Sequence, residues 1–516
     1  MAKSISLVLW SILLLYSTVG YTQSVKKVKA EIYGAVSDGR TLNTRSIQKA
    51  IDELSQNGGG TLVFSSGNFL TGSIQLKSNV TLHLEKGAVL LGSTHPEDYQ
   101  KLDIADGPIS PKTDNNSKLA LILANRSTNM AITGSGTING QGRELALTID
   151  SLHHRGLRKD PAYDMVNNRP SETSRPKLIH FSECSHIEIS GITLLNSACW
   201  VQTYELCEHV ILDRLNVESR AYWNNDGMDI TDCRHVKITH CQVNTADDGI
   251  CLKSYYPGHF NDQIYIAHCS IRSSASAIKF GTASVGGFKN VQIDQILVRD
   301  TYRSAIAIES VDGGFIENIQ VSNILAENTG NALFIRLGHR SGEKPGYVRN
   351  IRIQKMKVQV PFGRPDELYD MRGPALPFFH NPIPSPITGI PNFPIENVSL
   401  ENIEIRYPGR ASKGMAYIPI SQLHRVPEKI KDYPEFSMFG ELPSWGFYIR
   451  HVTGISVKNI TLSLDDPDFR PAFVLEDVTN AILEKINLPE PKKDQIILKD
   501  SRVSLSDTQY VDLLKK

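Results

Sequence analysis

Short alternations of apolar and polar positions recur along the chain and set its architecture. A polar residue is followed by Val or Ile and then by further alternating apolar positions. His186-Ile187-Glu188-Ile189, His209-Val210-Ile211-Leu212 and His235-Val236-Lys237-Ile238 are three copies. The phrase returns at Gln263, Asn290, Asn318, Asn350, Asn397 and Gly454. The copies follow one another at similar intervals up to Asn350, and the last two intervals are wider where segments are inserted. Period two, β-branched residues and flanking turn residues predict short strands. One such unit cannot bury its own apolar face, whereas stacking each unit on the last buries a continuous core. The expected fold is therefore all-β: a single-domain right-handed parallel β-helix, a solenoid with coils of twenty-odd residues. A β-sandwich would need hairpin turns between adjacent strands, and Asn-Gly pairs are scarce.

Near the start, Ile47, Ala50, Ile51 and Leu54 fall at helical spacing and Gly58-Gly59-Gly60 ends the run. This predicts an N-terminal helix over residues 44–54 that caps the open edge of the solenoid. Residues 143–177, 361–394 and 407–445 interrupt the period. The second is dense in proline, but all three carry aromatic residues and lie between coils. They are expected to be ordered loops walling a cleft on one face, not linkers between domains.

Composition narrows the function. With 55 basic and 55 acidic residues the formal net charge is zero, which argues against a nucleic-acid-binding surface. Lys3, an apolar run over residues 5–19 and polar residues through Gln23 and Ser24 read as a signal peptide over 1–23. The expectation is an exported protein, periplasmic or extracellular, with one catalytic domain over 24–516. No membrane span is expected in the mature chain, and a monomer is expected. All seven cysteines lie between Cys184 and Cys269. The odd count and the lack of a CxxC fit buried apolar residues better than a disulfide framework or a metal cluster.

The richest stretch for chemistry runs Tyr222-Trp223-Asn224-Asn225-Asp226-Gly227-Met228-Asp229, followed by Asp247-Asp248. The step from Asp226 to Asp247 is close to one coil, which would stack them on one face about 5 Å apart. Clustered carboxyls repel, and one is then held protonated beside an ionised neighbour. That pairing of acid and base is what glycosidic bond hydrolysis requires. Asp229 and Asp232 are read instead as turn-capping residues. Trp200 and Trp223 suit stacking on a sugar ring, with core packing the plainer role for Trp200.

These residues lie in a chain that resembles glycoside hydrolase family 28, the polygalacturonase and rhamnogalacturonan hydrolase family of pectin degradation. The resemblance runs through Tyr33-Gly34-Ala35-Val36-Ser37-Asp38-Gly39, Gly58-Gly59-Gly60-Thr61-Leu62, Ser78-Asn79-Val80-Thr81-Leu82 and Ile138-Asn139-Gly140-Gln141-Gly142. The family's Asn-Thr-Asp-Gly phrase is matched by Asn224-Asn225-Asp226-Gly227 and its Asp-Asp pair by Asp247-Asp248. The resemblance implies inverting hydrolysis of an acidic plant-type polysaccharide or oligosaccharide, without metal or other cofactor. Asp247 would be the general acid, and Asp226 and Asp248 would activate water.

Two departures bear on the substrate. The family's Gly-His-Gly is replaced around Ser276, and its Arg-Ile-Lys by Ala307-Ile308-Glu309. The cations that hold a galacturonate carboxylate are thus missing there, which resembles the rhamnogalacturonan hydrolase branch. Lys279 is the nearest replacement cation, with Glu309 one coil on as its ion-pair partner or as a second substrate contact. Arg336 and His339, with Arg340, are further candidates for substrate binding, as are Asn224 and Trp223; a solvated loop is the plainer setting for Arg336, His339 and Arg340. Two other functions fit the architecture. A Ca²⁺-dependent pectate-type lyase would use the aspartates as metal ligands, and a non-catalytic carbohydrate-binding β-helix would need none of them.

Overall fold

The structure, a computed structural model, describes residues 26–513 apart from 105–106, 113–115, 368, 370–382, 413, 415–417, 490–493 and 509–510. The expected signal peptide lies outside the described residues. No helix of the described residues is long and apolar enough to cross a membrane.

The chain winds into a right-handed parallel β-helix. Each coil contributes short strands to three faces, as in Gln202–Glu205, Glu208–Asp213 and Asn216–Ser219. The repeated phrases fall into one register. Ile187 pairs with Val210, Val210 with Val236, Val236 with Ile264 and Ile264 with Val291. The column continues through Ile319, Ile351, Val398 and Ile455 to Ala481. These side chains point inward and are buried. Aligning β-branched residues rung over rung turns many marginal units into one core.

The first helix, α1 (Thr44–Gln56), buries Ile47, Ala50, Ile51 and Leu54 against the first coil. The glycines after it are required by close approach: a Cβ on Gly59, at φ +114°, would lie 2.5 Å from the Asn79 carbonyl. A second helix, α2 (Gly142–His154), buries Leu145, Ala146 and Ile149. The segment 143–177, expected as a loop, therefore opens with a helix whose apolar residues stand at helical spacing. Residues 420–440 follow an irregular path, including the 3-10 turn Ile420–Arg425. They bury Leu423, Phe436 and Phe439 with Ala307, Phe334 and Tyr448 from the outer side of the sheet that carries the aspartates.

All seven cysteines are free and buried. Cys184, Cys207 and Cys233 occupy the same turn of successive coils, where their thiols meet backbone groups of neighbouring rungs. This matches the expected role as small stacked residues.

Candidate active site

On the outer face of one sheet, successive rungs place Thr203, Asp229, Cys251, Lys279 and Ala307 in one column. Two residues further along each strand, Thr231 pairs with Lys253 and Glu309 with Arg336. Asp226 precedes the strand Met228–Thr231, and Asp248 precedes Ile250–Ser254. The register Met228 to Ile250 and the hydrogen bond from Gly227 N–H to the Asp248 carbonyl (2.9 Å) set Asp248 directly beside Asp226. The expected stacking of Asp226 on Asp247 is thus off by one position, because the coil is one position longer than the step between those two aspartates. Asp248 points into the cluster.

Asp226, Asp247 and Asp248 face a cavity of about 220 Å³ that is also lined by Lys112, Glu172, Trp200, Asn224, Lys253, Tyr255, Lys279, Arg340 and Tyr433. Four separate insertions supply the wall. Lys112 comes from the segment before the strand Leu119–Asn125, Glu172 from 143–177, Arg340 from the turn after Leu337, and Tyr433 from 407–445.

Two buried lysines hold the carboxyls. Lys253 Nζ lies 3.1 Å from Asp226 Oδ2, 3.3 Å from Asp229 Oδ1 and 4.4 Å from the centre of the Trp200 ring. Lys279 Nζ lies 3.2 Å from Asp248 Oδ2 and donates to the Tyr433 hydroxyl at 2.9 Å. Asp248 Oδ1 also accepts the Ser276 N–H at 2.9 Å, and Asp247 Oδ1 accepts the Asp248 N–H at 2.9 Å. Asn224 is set at φ +59°, its side-chain oxygen accepting from Arg175, which also donates to the Trp223 carbonyl.

These surroundings separate the carboxyls. Burial raises Asp226, and the charges of Asp229, Asp248 and Glu172 add to that against the pull of Lys253. Burial, Asp226 and Asp248 push Asp247 up to about 7, although Arg303 and Lys279 oppose it. For Asp248 burial is overcome by Lys279, Arg303, Lys253 and the Ser276 amide, and its carboxyl stays below the usual carboxylate range. At mildly acidic pH the cluster holds an ionised Asp248 and at least one proton shared among its neighbours. Proton donor and base therefore coexist in one cavity.

Several expected site residues lie elsewhere. Arg336 is 1 % exposed and donates to Thr388 Oγ1 and to the carbonyls of Gly389, Glu428 and Lys429. It pins residues 428–429 to the sheet and does not reach the cavity. His339 meets the Gly342 carbonyl, while its neighbour Arg340 lines the site and pairs with Asp312. Trp223 packs under Arg169 and against Tyr222 outside the cavity lining, and Trp200 takes the wall position. Lys279 pairs with Asp248, not with Glu309. Glu309 is buried, its Oε2 has no hydrogen-bond partner among the described residues, and burial lifts it to about 8, so it is neutral at acidic pH. Asp232 caps as expected, accepting from Ser254 Oγ and the Tyr255 and Tyr256 N–H groups. Asp229 does not cap a turn: it sits on a strand beneath Lys253, lifted by burial to about 6.

Sequence reasoning also missed Lys253 and Arg303. Arg303 occupies the column of Asp247 two coils on, since Ile250, Ile278 and Ile306 are in register. Two further steps of the regular repeat lead from Asp247 through Ala275 to Arg303, and that periodicity was the available signal.

The donors do not suit the lyase alternative. Asp226, Asp248 and Cys251 bring three potential ligand atoms within 4.8 Å of one another, but Ca²⁺ takes six to eight oxygens. One of the three is a thiol, and both carboxylates already face ammonium groups.

The Glycosyl hydrolases family 28 profile matches residues 60–360. The chain belongs to that family. It is a glycoside hydrolase. A probable polygalacturonase of Vitis vinifera is 26% identical over 416 residues, 74% of this chain and 74% of that protein. An endo-polygalacturonase of Pectobacterium carotovorum subsp. carotovorum is 24% identical over 262 residues, covering 50% of this chain and 62% of its own length. In fold, the chain is similar to the hyperthermoactive exopolygalacturonase of Thermotoga maritima. That likeness has a TM-score of 0.57 at 24% identity, over 74% of this chain and 87% of that one.

Proposed function

We propose that this glycosidase hydrolyses α-glycosidic bonds of galacturonic acid in pectic polysaccharides, homogalacturonan or rhamnogalacturonan fragments, with inversion at the anomeric carbon. Asp247 donates a proton to the leaving oxygen. Asp226 and Asp248 hold and activate the attacking water from the other side. The observation that carries this reading is the division of labour in the cluster: a raised Asp247 beside an ionised Asp248. Oxygens of Asp226 and Asp248 lie within 4.8 Å, a gap that one water spans with two hydrogen bonds of about 2.8 Å. Asp247 is the least buried of the three, as suits a group that must meet the glycosidic oxygen.

Lys279, Lys112 and Arg340 bring positive charge to the cavity and are suited to a uronate carboxylate. Walls from four insertions around a small cavity favour attack at chain ends over attack along a polymer. In keeping with this chemistry, we read the chain as an exported, monomeric enzyme with one catalytic domain over 24–516.

The test is product analysis on homogalacturonan, rhamnogalacturonan and their oligosaccharides with chelator present, wild type beside Asp247→Asn. Saturated sugars from wild type, with the product anomer inverted by NMR, are expected. General-acid loss should lower kcat/KM by about 10²–10⁴-fold. Unsaturated products, or equal activity of Asp247→Asn, would overturn the assignment.

A further inference from the structure

One column of left-handed turn residues runs the length of the solenoid, at the entrance to the face that follows the catalytic sheet. Most of its rungs carry asparagine. Asn318 donates to Asn290, Asn350 to Asn318 and Asn397 to Asn350, each at 3.2 Å. At three successive rungs the column changes chemistry: His186, His209 and His235, with φ +54°, +57° and +54°, replace the amides. Their rings stack with centroids 4.8 and 4.7 Å apart, the strand spacing of the sheet. The rings of His209 and His235 are parallel within 7°.

Glu208 stands beside this stack. Its Oε1 lies 3.7 Å from Nε2 of His209 and 3.7 Å from Nε2 of His235. At that distance it is hydrogen-bonded to neither. The side chains of Glu208, His209 and His235 are 51%, 48% and 38% exposed, so they are open to solvent. The three ligand atoms lie within 4.8 Å of one another. Ligand atoms around a tetrahedral ion with bonds of 2.0–2.2 Å are about 3.4 Å apart. Two of the three edges are therefore nearly closed already, and the third closes when the two parallel rings unstack so that both Nε2 lone pairs converge on the ion. Arg234, next to Glu208 in register, is turned onto the face of Phe260 and leaves the carboxylate to the imidazoles.

We propose that Glu208, His209 and His235 form a surface site for a borderline divalent transition ion such as Zn²⁺, distinct from the catalytic cavity. Two imidazoles and one carboxylate suit that class of ion, whereas Ca²⁺ and Mg²⁺ prefer all-oxygen sets. Because His209 and His235 belong to successive coils, the ion staples two rungs of the solenoid on the turn edge. Binding only the folded register, it stabilises that register by mass action.

The test titrates Zn²⁺ into the full-length, tag-free protein by calorimetry, and follows thermal unfolding and hydrolysis of a pectic substrate with and without the ion. His209→Asn and His235→Asn restore the residue type used elsewhere in the column, so both are expected to fold. Wild type should bind close to one equivalent, with a higher Tm and unchanged hydrolysis. Each variant should bind at least tenfold more weakly and lose the Tm increase. No binding by wild type, or binding that survives His209→Asn, would overturn the proposal. So would zinc inhibition of hydrolysis equal in wild type and variants, which would place the ion at Asp226, Asp248 and Cys251.

Discussion

Replacing Lys279 by Met tests the electrostatic core of the proposed mechanism. Lys279 is 2 % exposed, and its ammonium lies 3.2 Å from Asp248 Oδ2. At an effective dielectric constant of about 20, that separation corresponds to about 5 kcal/mol of attraction, or nearly 4 pKa units at about 1.4 kcal/mol each. Not all of it appears on deletion. Arg303, Lys253 and the Ser276 amide still favour the ionised form, and water entering the vacated space screens the rest. A net rise of Asp248, well short of that full attraction, is the expected result. The acidic limb of kcat/KM, which reports the free enzyme's base, should move up, and the basic limb near Asp247, which Lys279 also holds down, should move up by less. The assay is initial-rate hydrolysis of a short galacturonide from pH 3 to 9 with wild type, Lys279→Met and Lys279→Arg. The Arg variant keeps the charge and should keep the limb close to wild type. A folded Lys279→Met whose acidic limb has not moved would refute the claim that Lys279 keeps Asp248 ionised, whatever its KM does.

Three further outcomes follow from the same geometry. In wild type the basic limb of kcat/KM should fall near pH 7, because Asp247, the proposed acid, is raised to about 7 and must be protonated to act. Stability should decline as pH rises from about 4 to 8: Asp229, Asp232 and Glu309 are raised to about 6, 7 and 8, so the folded state binds more protons than the unfolded one across that window, and scanning calorimetry should give a higher Tm at pH 5 than at pH 8. Arg336→Met removes the guanidinium that holds the Glu428 and Lys429 carbonyls and should loosen the segment that brings in Tyr433; limited proteolysis within 420–440 and a KM increase larger than any kcat decrease would show it.

The solenoid was legible because its physics is periodic. Every β-branched phrase read from the sequence falls into the inward column that runs from Met130 through Ile187 and Ala481 to Val503. The aspartate cluster was legible for the same reason, but only to within one position. A coil one position longer than the step from Asp226 to Asp247 moves the partner of Asp226 to Asp248, and the sequence carries no mark of that slip. Arg303 and Lys253 obey the same periodicity and could have been found by extending it. Glu172, Lys112 and Tyr433 could not, because insertions deliver them to the cavity with no period linking them to the aspartates. Arg336 misled for the opposite reason: it stands in a charged column near the site, but residues 428–429 cover it and consume its donors.

That cover bears on how the site manages without the family's usual cations. Ala307 and Glu309 stand where Arg and Lys are expected, and Ala307 belongs to one buried apolar cluster with Phe436 and Leu442 of the 407–445 insertion. A long cation at position 307 would have to displace that apolar cluster, at a cost of several kcal/mol for each large side chain unseated. That apolar cluster and a long cation at position 307 are therefore alternatives. In this chain Lys279 and Lys253 lie one and two rungs upstream of those positions, where each ammonium faces an aspartate of the cluster. Glu309 stays buried, and burial lifts it to about 8. In the proposed mechanism Lys279, which favours the ionised form of Asp248, is also one of the cations that meet an incoming uronate, so substrate binding and the protonation state of Asp248 are coupled through one ammonium group.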